Sequence, residues 1–561
     1  MDANSPKHCS LEMKSKFADI SPPATKQNST PERKNVRESL KEIFNEYCSN
    51  TSLHGVKYFG QERPWKEICF WLGIFTLSFY FSSQTIRKVY QKWNDTPVIV
   101  TFSERSTPVS DIPFPAITIC PEIRGRVPKD GPNFSMLLKN LTFDSEIPKN
   151  LTNRQLGEFV TLLHTCSSDV YGSEIPKLSN ESYDYIQIIN DMALDLEKQA
   201  VSCKWFGIEK GCTDLFTKTY TDFGLCYTFN GLKNSDLYRE DTIQYGLMDL
   251  ESAVDESPTK RLNRTLNWSL EEGYNKNAPI KTYPARVLSA STTASLKVTL
   301  RVLTDNIDYC CSAGTEGYKI VLHTPSVVPL PSKRFVRISA RKEVSITVKP
   351  VLLTTSNGVA VYSPDKRKCF MNHERYLRFF KNYNERNCEM ECLTNFTLKE
   401  CGCVKFSMPR TSDMPVCAED KIACCNEAED KMLMEYSDDR DKDPCRCMPS
   451  CTSLHYDMEI SQSDFNEQYI FSAFGWKDAE TAKWSRLLVH FKDNEFIARK
   501  RSELYGYADF LANCGGILGL FMGFSILSLI EFFYHMTLRL LSNMRRKSKY
   551  VMENKSKAMK N

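Results

Sequence analysis

The residues best suited to chemistry lie in an apolar segment near the C-terminal end of the chain, residues 510–530 (FLANCGGILGLFMGFSILSLI). Small residues recur along one helical face of this segment: Ala512, Gly515, Gly516, Gly519 and Gly523. Such a stripe allows helices to pack closely. It also leaves backbone carbonyls uncovered, and rings of carbonyls can replace the hydration shell of a cation. Both interpretations stay open, and the second requires several copies of the chain around one axis.

The triplet Gly523-Phe524-Ser525 predicts a break in this segment. Glycine is a poor helix former, and a serine hydroxyl can bond either backbone or an ion. Non-helical backbone at membrane depth is tolerated only where it lines water or protein, so the triplet is our candidate selectivity filter. Asp509 and Glu531 stand at the two ends of the segment. Each is interpreted either as a pore-mouth acid or as an ordinary helix-end carboxylate.

A second apolar segment, residues 68–86 (ICFWLGIFTLSFYFSSQTI), also carries no charge. At about 1.5 Å per residue, each segment is long enough to cross a hydrocarbon core of about 30 Å; a buried core helix is the alternative. Basic residues dominate after the second segment: Arg539, Arg545, Arg546, Lys547, Lys549, Lys555, Lys557 and Lys560. This excess marks a cytoplasmic side. Two spans then put both termini in the cytoplasm and residues 88–508 outside.

Cysteine usage agrees with that topology. The chain has 22 cysteines, and disulfides persist in oxidising compartments. The 18 that lie in the central segment are predicted to be structural disulfides of open connectivity: Cys120, Cys166, Cys203, Cys212, Cys226, Cys310, Cys311, Cys369, Cys388, Cys392, Cys401, Cys403, Cys417, Cys424, Cys425, Cys445, Cys447 and Cys451. Zinc is the alternative for the cysteines after residue 400, but no histidine is interleaved with them and extracellular thiolates oxidise, so no metal site is expected.

Seven sequons for N-glycosylation fall in the same cysteine-rich segment. They are Asn133, Asn140, Asn150, Asn180, Asn263, Asn267 and Asn395. One sequon is weak evidence, whereas seven in the cysteine-rich segment indicate exposure to the secretory pathway.

The composition excludes several classes of protein. Lys plus Arg is 73 and Asp plus Glu is 69, a net charge of +4 over 561 residues, which argues against a nucleic-acid partner. The mean hydropathy of −0.40 is too polar for a multi-span transporter. Outside the apolar segments we find no catalytic triad, metal motif or phosphate loop, so no enzyme activity and no cofactor are predicted.

Five segments follow, and they place the chain in the plasma membrane as a multi-pass protein. They are a cytoplasmic N-terminus (1–66), a first transmembrane helix (67–90), a cysteine-rich extracellular domain (91–508), a second transmembrane helix with the pore and filter (509–533) and a basic cytoplasmic tail (534–561). Within the N-terminus, residues 1–35 are predicted to be disordered and residues 36–48 to form a short helix.

Local patterns in the extracellular segment are mixed. Apolar residues at helical spacing predict helices around residues 156–163 and 376–383, the latter from Tyr376, Phe379, Phe380 and Tyr383. Cys388 and Cys392 follow, four residues apart, and on a helix both would face one side. Runs rich in β-branched residues predict strands at 298–303, 318–323 and 344–348. The fold class is therefore an α+β membrane protein, with two transmembrane helices flanking a large disulfide-rich mixed α/β ectodomain.

Taken together, five passages resemble the epithelial sodium channel/degenerin family, which includes the acid-sensing channels. The five passages are His54-Gly55; Phe114-Pro115-Ala116-Ile117-Thr118-Ile119-Cys120; Phe223-Gly224-Leu225-Cys226-Tyr227-Thr228-Phe229-Asn230; Cys388 and Cys392 with Cys401-Gly402-Cys403; and the glycine-rich segment that ends in Gly523-Phe524-Ser525. They span residues 50–535 in the family's order. The run at 317–329 is most similar to the insect pickpocket branch.

The resemblance implies a homo- or hetero-trimer in the lipid bilayer, with a sodium-selective, amiloride-sensitive pore through which sodium permeates. It implies that His54 and Gly55 form a cytoplasmic gating motif. It also places Ala512 at the degenerin position, where bulky replacements hold family channels open, with Gly515 and Gly516 as the rest of the gate. Asn513 stands where acid-sensing channels carry an acidic residue, which counts against gating by protons.

Other functions fit parts of the pattern. A subunit that needs a partner to conduct, or a two-span receptor or adhesion protein without its own pore, would share the topology. An ATP-gated trimeric channel would also share it, but its lysine cluster and ten-cysteine pattern are not evident. The stimulus, which could be protons, a peptide or another extracellular ligand, osmotic change or force, is not specified by the sequence.

Overall fold

The computed structural model describes residues 36–60, 63–124, 134, 137, 151–166, 183–247, 266–303, 311, 314–438, 445–474 and 482–558. The chain forms two compact units. One, here the terminal unit, comprises Met1–Gln91 and Tyr507–Asn561; the other, the central unit, comprises Lys92–Gly506. Several predictions lie outside the described residues: the disorder of residues 1–35, the sequons Asn133, Asn140, Asn150, Asn180 and Asn263, and Cys310.

The helices and strands are as follows. Helices of four or more residues are α1 (Val36–Asn50), α2 (Trp65–Asp95), α3 (Asn153–Thr165), α4 (Tyr185–Met192), α5 (Leu196–Gln199), α6 (Cys212–Leu215), α7 (Asn234–Leu237), α8 (Ile243–Gly246), α9 (Asn357–Ala360), α10 (Pro364–Arg367), α11 (Glu385–Cys401), α12 (Ile422–Asp438), α13 (Glu467–Phe474), α14 (Tyr507–Met522), α15 (Ile526–Tyr534) and α16 (Leu540–Ala558). Strands are β1 (Val98–Pro108), β2 (Ala116–Pro121), β3 (Ala200–Trp205), β4 (Ile208–Lys210), β5 (Phe216–Thr221), β6 (Gly224–Phe229), β7 (Trp268–Ser269), β8 (Gly273–Tyr274), β9 (Leu296–Leu303), β10 (Tyr318–His323), β11 (Val336–Ile338), β12 (Lys342–Thr355), β13 (Ser453–Asp464), β14 (Ala482–Phe491) and β15 (Glu495–Glu503).

The terminal unit is helical. It contains α1, a 3-10 turn at Val56–Tyr58, most of α2, and then α14, α15 and α16, with a π-helical turn at His535–Arg539 between the last two. The predicted short helix at 36–48 is confirmed as α1. Judged by length and apolarity, no one helix of the described residues would cross a bilayer, whereas Tyr507–Met522 and Ile526–Asn543, bent by 68° at the break between them, meet that requirement as a pair.

The central unit is built on two sheets. The larger has eight strands in the order β1-β15-β12-β14-β9-β3-β4, with β13 also paired to β12. Its longest strand, β12, pairs antiparallel with β13 along one edge and parallel with β14 and then β15 along the other. The strands predicted at 298–303 and 344–348 are confirmed as β9 and β12, although β12 is much longer than the β-branched run that predicted it.

The second sheet has five strands in the order β11-β10-β2-β6-β5. The passage beginning at Phe114 forms its central strand β2, whose side chains are buried on both faces, which explains why it reads as a continuous apolar run rather than an alternating one. Phe114 is fully buried and makes edge contacts with Trp205 and Phe491, which belong to the first sheet. One hydrophobic core therefore joins the two sheets.

A buried hydrogen-bond network holds β2 in register. The Thr118 Oγ1 atom lies 2.8 Å from Thr228 Oγ1 on β6 and 2.9 Å from His323 Nε2 on β10. At the end of β6, Asn230 has a positive φ of 58°, and its Nδ2 group donates to the Phe114 carbonyl at 2.6 Å. The family passage at 223–230 thus supplies a strand partner and a side-chain clamp for the passage at 114–120.

The helix predicted at 376–383 is wrong. This segment is irregular, and α11 begins only at Glu385. Its backbone groups are used by neighbouring elements: the Phe379 carbonyl accepts from Arg239 N at 2.9 Å, and Phe379 N donates to the Glu391 carboxylate at 3.0 Å. The apolar side chains are mostly buried, as predicted, but tertiary contacts override the helical spacing.

Among the described residues of the central unit, eight disulfides are formed. The pairs are Cys120–Cys226, Cys166–Cys311, Cys203–Cys212, Cys369–Cys451, Cys388–Cys447, Cys392–Cys445, Cys401–Cys424 and Cys403–Cys417. Cys388 and Cys392 are thus both joined to residues 445–447, in agreement with one helical face.

The prediction that all cysteines of the central segment form disulfides is wrong for Cys425. It is a buried free thiol, because its neighbour in the chain, Cys424, is the residue that reaches Cys401. Its Sγ atom lies 3.0 Å from Cys417 Sγ, which is bonded to Cys403. A metal bound between Cys403, Cys417 and Cys425 would need three thiolates. Two of them are not available, because Cys403 and Cys417 are joined in a disulfide.

Candidate ion pathway

The Gly523-Phe524-Ser525 triplet is the break between α14 and α15. Helix α14 ends at Met522, and Gly523 has a φ of +66°, a left-handed conformation that favours glycine at a helix end. Ser525 then begins α15 by a reciprocal cap: its Oγ accepts from Ser528 N, and its own N–H donates to Ser528 Oγ, both at 3.2 Å. Gly523 and Ser525 therefore specify where α14 ends and where α15 begins.

Two carbonyls at the break have no backbone partner. Among the described residues, the Gly523 and Phe524 oxygens accept no backbone hydrogen bond, whereas the Ser525 oxygen accepts from Leu529 N at 3.2 Å. Unpaired carbonyls in an apolar setting are costly unless something replaces the lost bond. A cation can do so, because carbonyl oxygens are the ligands that selectivity filters use.

The His54-Gly55 segment lies directly against this break. His54 N donates to the Met522 carbonyl at 2.9 Å. A Cβ atom added to Gly523 would lie 2.6 Å from His54 Cδ2 and 2.8 Å from its Nε2. The two motifs that the sequence left unconnected are therefore neighbours within the terminal unit.

Ser52 extends that contact along α15. Its Oγ lies 2.7 Å from Ser528 Oγ, and its N–H and hydroxyl each approach Glu531 Oε2 at 3.4 Å. Ser528 is fully buried. Glu531 is therefore engaged by the N-terminal segment as well as standing at the end of the apolar stretch. Sequence reasoning missed Ser52 and Ser528; the Ser-x-x-Ser spacing of a helix cap could have revealed the second, and no signal marks the first.

Further contacts anchor the N-terminal segment. Tyr58 stacks on Trp71 of α2 with ring centroids 4.1 Å apart, and Gly55, at φ +83°, makes the turn that brings it there. Glu46 of α1 pairs with Arg539, whose Nη2 lies 2.6 Å from Glu46 Oε1. The chain from Glu46 to Tyr58 is thus held at both ends by other parts of the terminal unit.

The predicted gate residues are exposed in the single chain. Ala512, Gly515 and Gly516 all lie on the surface of α14, and a Cβ atom at either glycine would meet nothing within 4 Å. Asp509, in the first turn of the same helix, is also exposed. Ala512, Gly515 and Gly516 are therefore not packed against other described parts of the same chain.

Two of the predicted glycosylation sites are described. Asn395 lies exposed on α11, and Asn267 is half-buried, with its Nδ2 donating to Thr282 Oγ1 at 3.3 Å. Of the two, Asn395 is the more accessible in the folded chain.

Comparison with known proteins shows the class of protein to which this disulfide-rich α+β unit and broken apolar helix belong. The family described as "Amiloride-sensitive sodium channel" matches residues 47–535. The chain belongs to this family of sodium channels.

Similar proteins include members from insects and vertebrates. Pickpocket protein 28 of Drosophila melanogaster is 29% identical over 517 residues, covering 90% of this chain and 79% of that protein. The sodium channel protein Nach of Drosophila ananassae is 23% identical, covering 92% and 89%. Acid-sensing ion channel 1C of Danio rerio is 24% identical, covering 91% and 85%. All three are named as channels or pickpocket proteins, none as an enzyme.

Proposed function

We propose that this chain is a subunit of a trimeric, sodium-selective and amiloride-sensitive cation channel of the plasma membrane, gated through its cysteine-rich extracellular domain. Residues 67–90 and 509–533 would span the bilayer, with both termini in the cytoplasm. The basic residues of α16 and the eight disulfides of the central unit support this orientation, because disulfides belong outside the cell and basic flanks inside.

The observation that carries the proposal is the break at Gly523. In a trimer, three copies of the two unpaired carbonyls, those of Gly523 and Phe524, would surround one axis. A ring of three suits a small, partly dehydrated cation such as sodium better than potassium. The exposed stripe with Ala512, Gly515 and Gly516 would pack against the neighbouring copies and form the gate. Asp509 and Glu531 would lie at the two mouths of the pore.

Selectivity is tested by recording from cells that express the chain. We expect amiloride-sensitive sodium current, and we expect Ser525→Cys or a larger residue to admit potassium, measured as a change in the reversal potential under bi-ionic sodium and potassium. Ser525→Ala should change selectivity only modestly if carbonyls coordinate the ion. Ser542→Ala, an exposed serine on α16, is the matched control. Unchanged selectivity in all Gly523 and Ser525 variants would move the filter elsewhere.

The gate is tested at Ala512. A side chain larger by a few methyl groups costs about 1–3 kcal/mol where a closed state is tightly packed, so Ala512→Val should produce constitutive current. A normally trafficked but silent variant would count against a gate at this position. If the chain alone is silent, co-expression with family subunits separates a hetero-trimer from a protein without a pore.

A further inference from the structure

The central unit contains a cavity whose lining is unusually cationic. Its volume is about 70 Å³, room for roughly five water molecules. The walls come from the end of β10, the loop after it, the N-terminal turn of α11, Ser450 and the first residues of β13. Arg334, Arg386 and His455 all line it. The predicted ion pathway shares no residue with this cavity.

Neither arginine has an ion-pair partner in the described part of the chain. Arg386 is half-buried, on the first turn of α11, and Arg334 is exposed. The positive end of the α11 dipole adds to their field, because Asn384 caps this 17-residue helix at the same wall. The one acidic side chain in the lining is Glu385, which leaves a net positive site.

An unsatisfied hydroxyl lies in the same wall. Ser450 is 9% exposed and lines the cavity, and its Oγ has no hydrogen-bond partner among the residues that the structure describes. A buried polar atom without a partner is costly, so a native structure that retains one usually supplies a partner from solvent or a ligand. Two other hydroxyls of the wall are already used: Thr324 Oγ1 donates to the Leu454 carbonyl at 2.6 Å, and the Tyr456 hydroxyl donates to the Pro113 carbonyl at 2.8 Å.

We propose that this cavity binds a small carboxylate from the extracellular medium, held by the Arg334 and Arg386 guanidinium groups with a hydrogen bond from Ser450. Guanidinium groups present paired N–H donors that match the two oxygens of a carboxylate. The cavity is large enough for a carboxylate with a short carbon chain and too small for a folded partner to enter. The proposal concerns binding alone and does not depend on the chain conducting ions.

His455 makes the binding sensitive to pH. Burial lowers the pKa of His455, the positive charges of Arg386 and Arg334 lower it further, and Asp457 raises it. His323, also in the lining, has its pKa lowered to about 4 by burial and stays neutral. A bound carboxylate would raise the pKa of His455, so that binding takes up a proton and tightens as the pH falls.

Thermal unfolding of the full-length protein in detergent provides the test. We expect sodium acetate to raise the melting temperature above that in sodium chloride of equal ionic strength, and saturation-transfer NMR to show the acetate methyl group in contact with protein. Arg386→Gln and Arg334→Gln should each remove most of both signals. Arg378→Gln, an exposed arginine away from the cavity, should retain them.

The pH dependence provides a second arm. The acetate effect should be larger at pH 6 than at pH 8, and His455→Gln should remove that difference. Absence of both signals in the wild-type protein would overturn the proposal, as would their persistence in both cavity arginine variants. A shift with sodium phosphate and none with acetate would overturn the assignment to a carboxylate.

Discussion

The imidazole ring of His54 occupies the space that a side chain at Gly523 would need. A Cβ atom there would come within 2.6 to 2.9 Å of three atoms of the ring, closer than real contacts allow. Two features therefore favour glycine at position 523. Its φ is +66°, and the His54 ring leaves no room for a side chain. The break between α14 and α15 and the His54-Gly55 segment are consequently one structural unit.

Gly523→Ala should therefore displace the N-terminal segment and abolish or strongly reduce current. Removing the ring tests the cause: in the double variant His54→Ala with Gly523→Ala, the steric part of the defect should disappear while the backbone strain remains. The interaction between the two substitutions should amount to about 0.5–3 kcal/mol. Whole-cell current, normalised to surface biotinylation, gives the measurement.

Gly73→Ala is the matched control for that cycle, because a Cβ at Gly73 on α2 meets nothing within 4 Å and no part of the proposed gate or filter is assigned to this residue. Its effect on trafficking should be small. Strictly additive effects of the His54 and Gly523 substitutions would contradict the contact.

Gly55 offers a purely conformational test. Its φ is +83°, and an added Cβ would lie 3.8 Å from Trp71, an ordinary contact. The penalty of Gly55→Ala is therefore backbone strain of about 1–2 kcal/mol, and Gly55→Asn should cost less because asparagine tolerates this region. We expect open probability to fall in the order Gly, Asn, Ala, with unchanged surface expression. Gly73→Ala, in open space on α2, should behave as wild type.

We expect two buried histidines to make the central unit sensitive to acid. Burial lowers the pKa of His164 and of His323 from 6.5 to about 4 each. Between these pH values the unfolded chain binds more protons, so stability is fully present above about pH 6.5 and is lost as the pH falls toward 4. Each histidine contributes roughly 3 kcal/mol to this dependence.

The free energy of unfolding, measured from pH 7 to pH 4.5, tests this pH dependence of stability. His164→Gln and His323→Gln should flatten the slope of stability against pH, whatever they do to stability at pH 7. His373→Gln, at an exposed position, should leave the slope intact. Slopes equal in all four proteins would show that other groups cause the acid sensitivity.

Cys425 should be a protected thiol. Burial raises its pKa to about 11, so it stays protonated at pH 8 and reacts poorly with a maleimide. We expect alkylation at this residue only after unfolding, detected by peptide mass spectrometry without reduction. Recovery of Cys425 in a disulfide-linked peptide would contradict the assignment.

Much of this architecture was predictable from the sequence. The strand at Tyr318–His323 and the break at Gly523 are local signals, since a run rich in β-branched residues and a glycine two residues before a serine restrict the backbone by themselves. The face shared by Cys388 and Cys392 follows from helical periodicity. In each case the information lies within a few neighbouring residues.

What the sequence missed depends on contacts between distant segments. The spacing at 376–383 is helical, yet the backbone of that segment is bound by other elements. The choice between Cys424 and Cys425 as the partner of Cys401 is decided by the geometry of α12 against α11. The position of His54 against Gly523 depends on a contact that no local pattern records.

The bond between Ser52 and Ser528 joins positions 476 apart, which has a consequence for biosynthesis. A ribosome has made the N-terminal partner long before it makes the other. The segment from Ser52 to Gly55 therefore lacks its final contacts until Ser528 has been synthesised. A chain truncated before α15 would have every disulfide of the central unit and still lack the contact between Ser52 and Ser528. This contact therefore distinguishes a full-length folded chain from a truncated one that has already formed its disulfides.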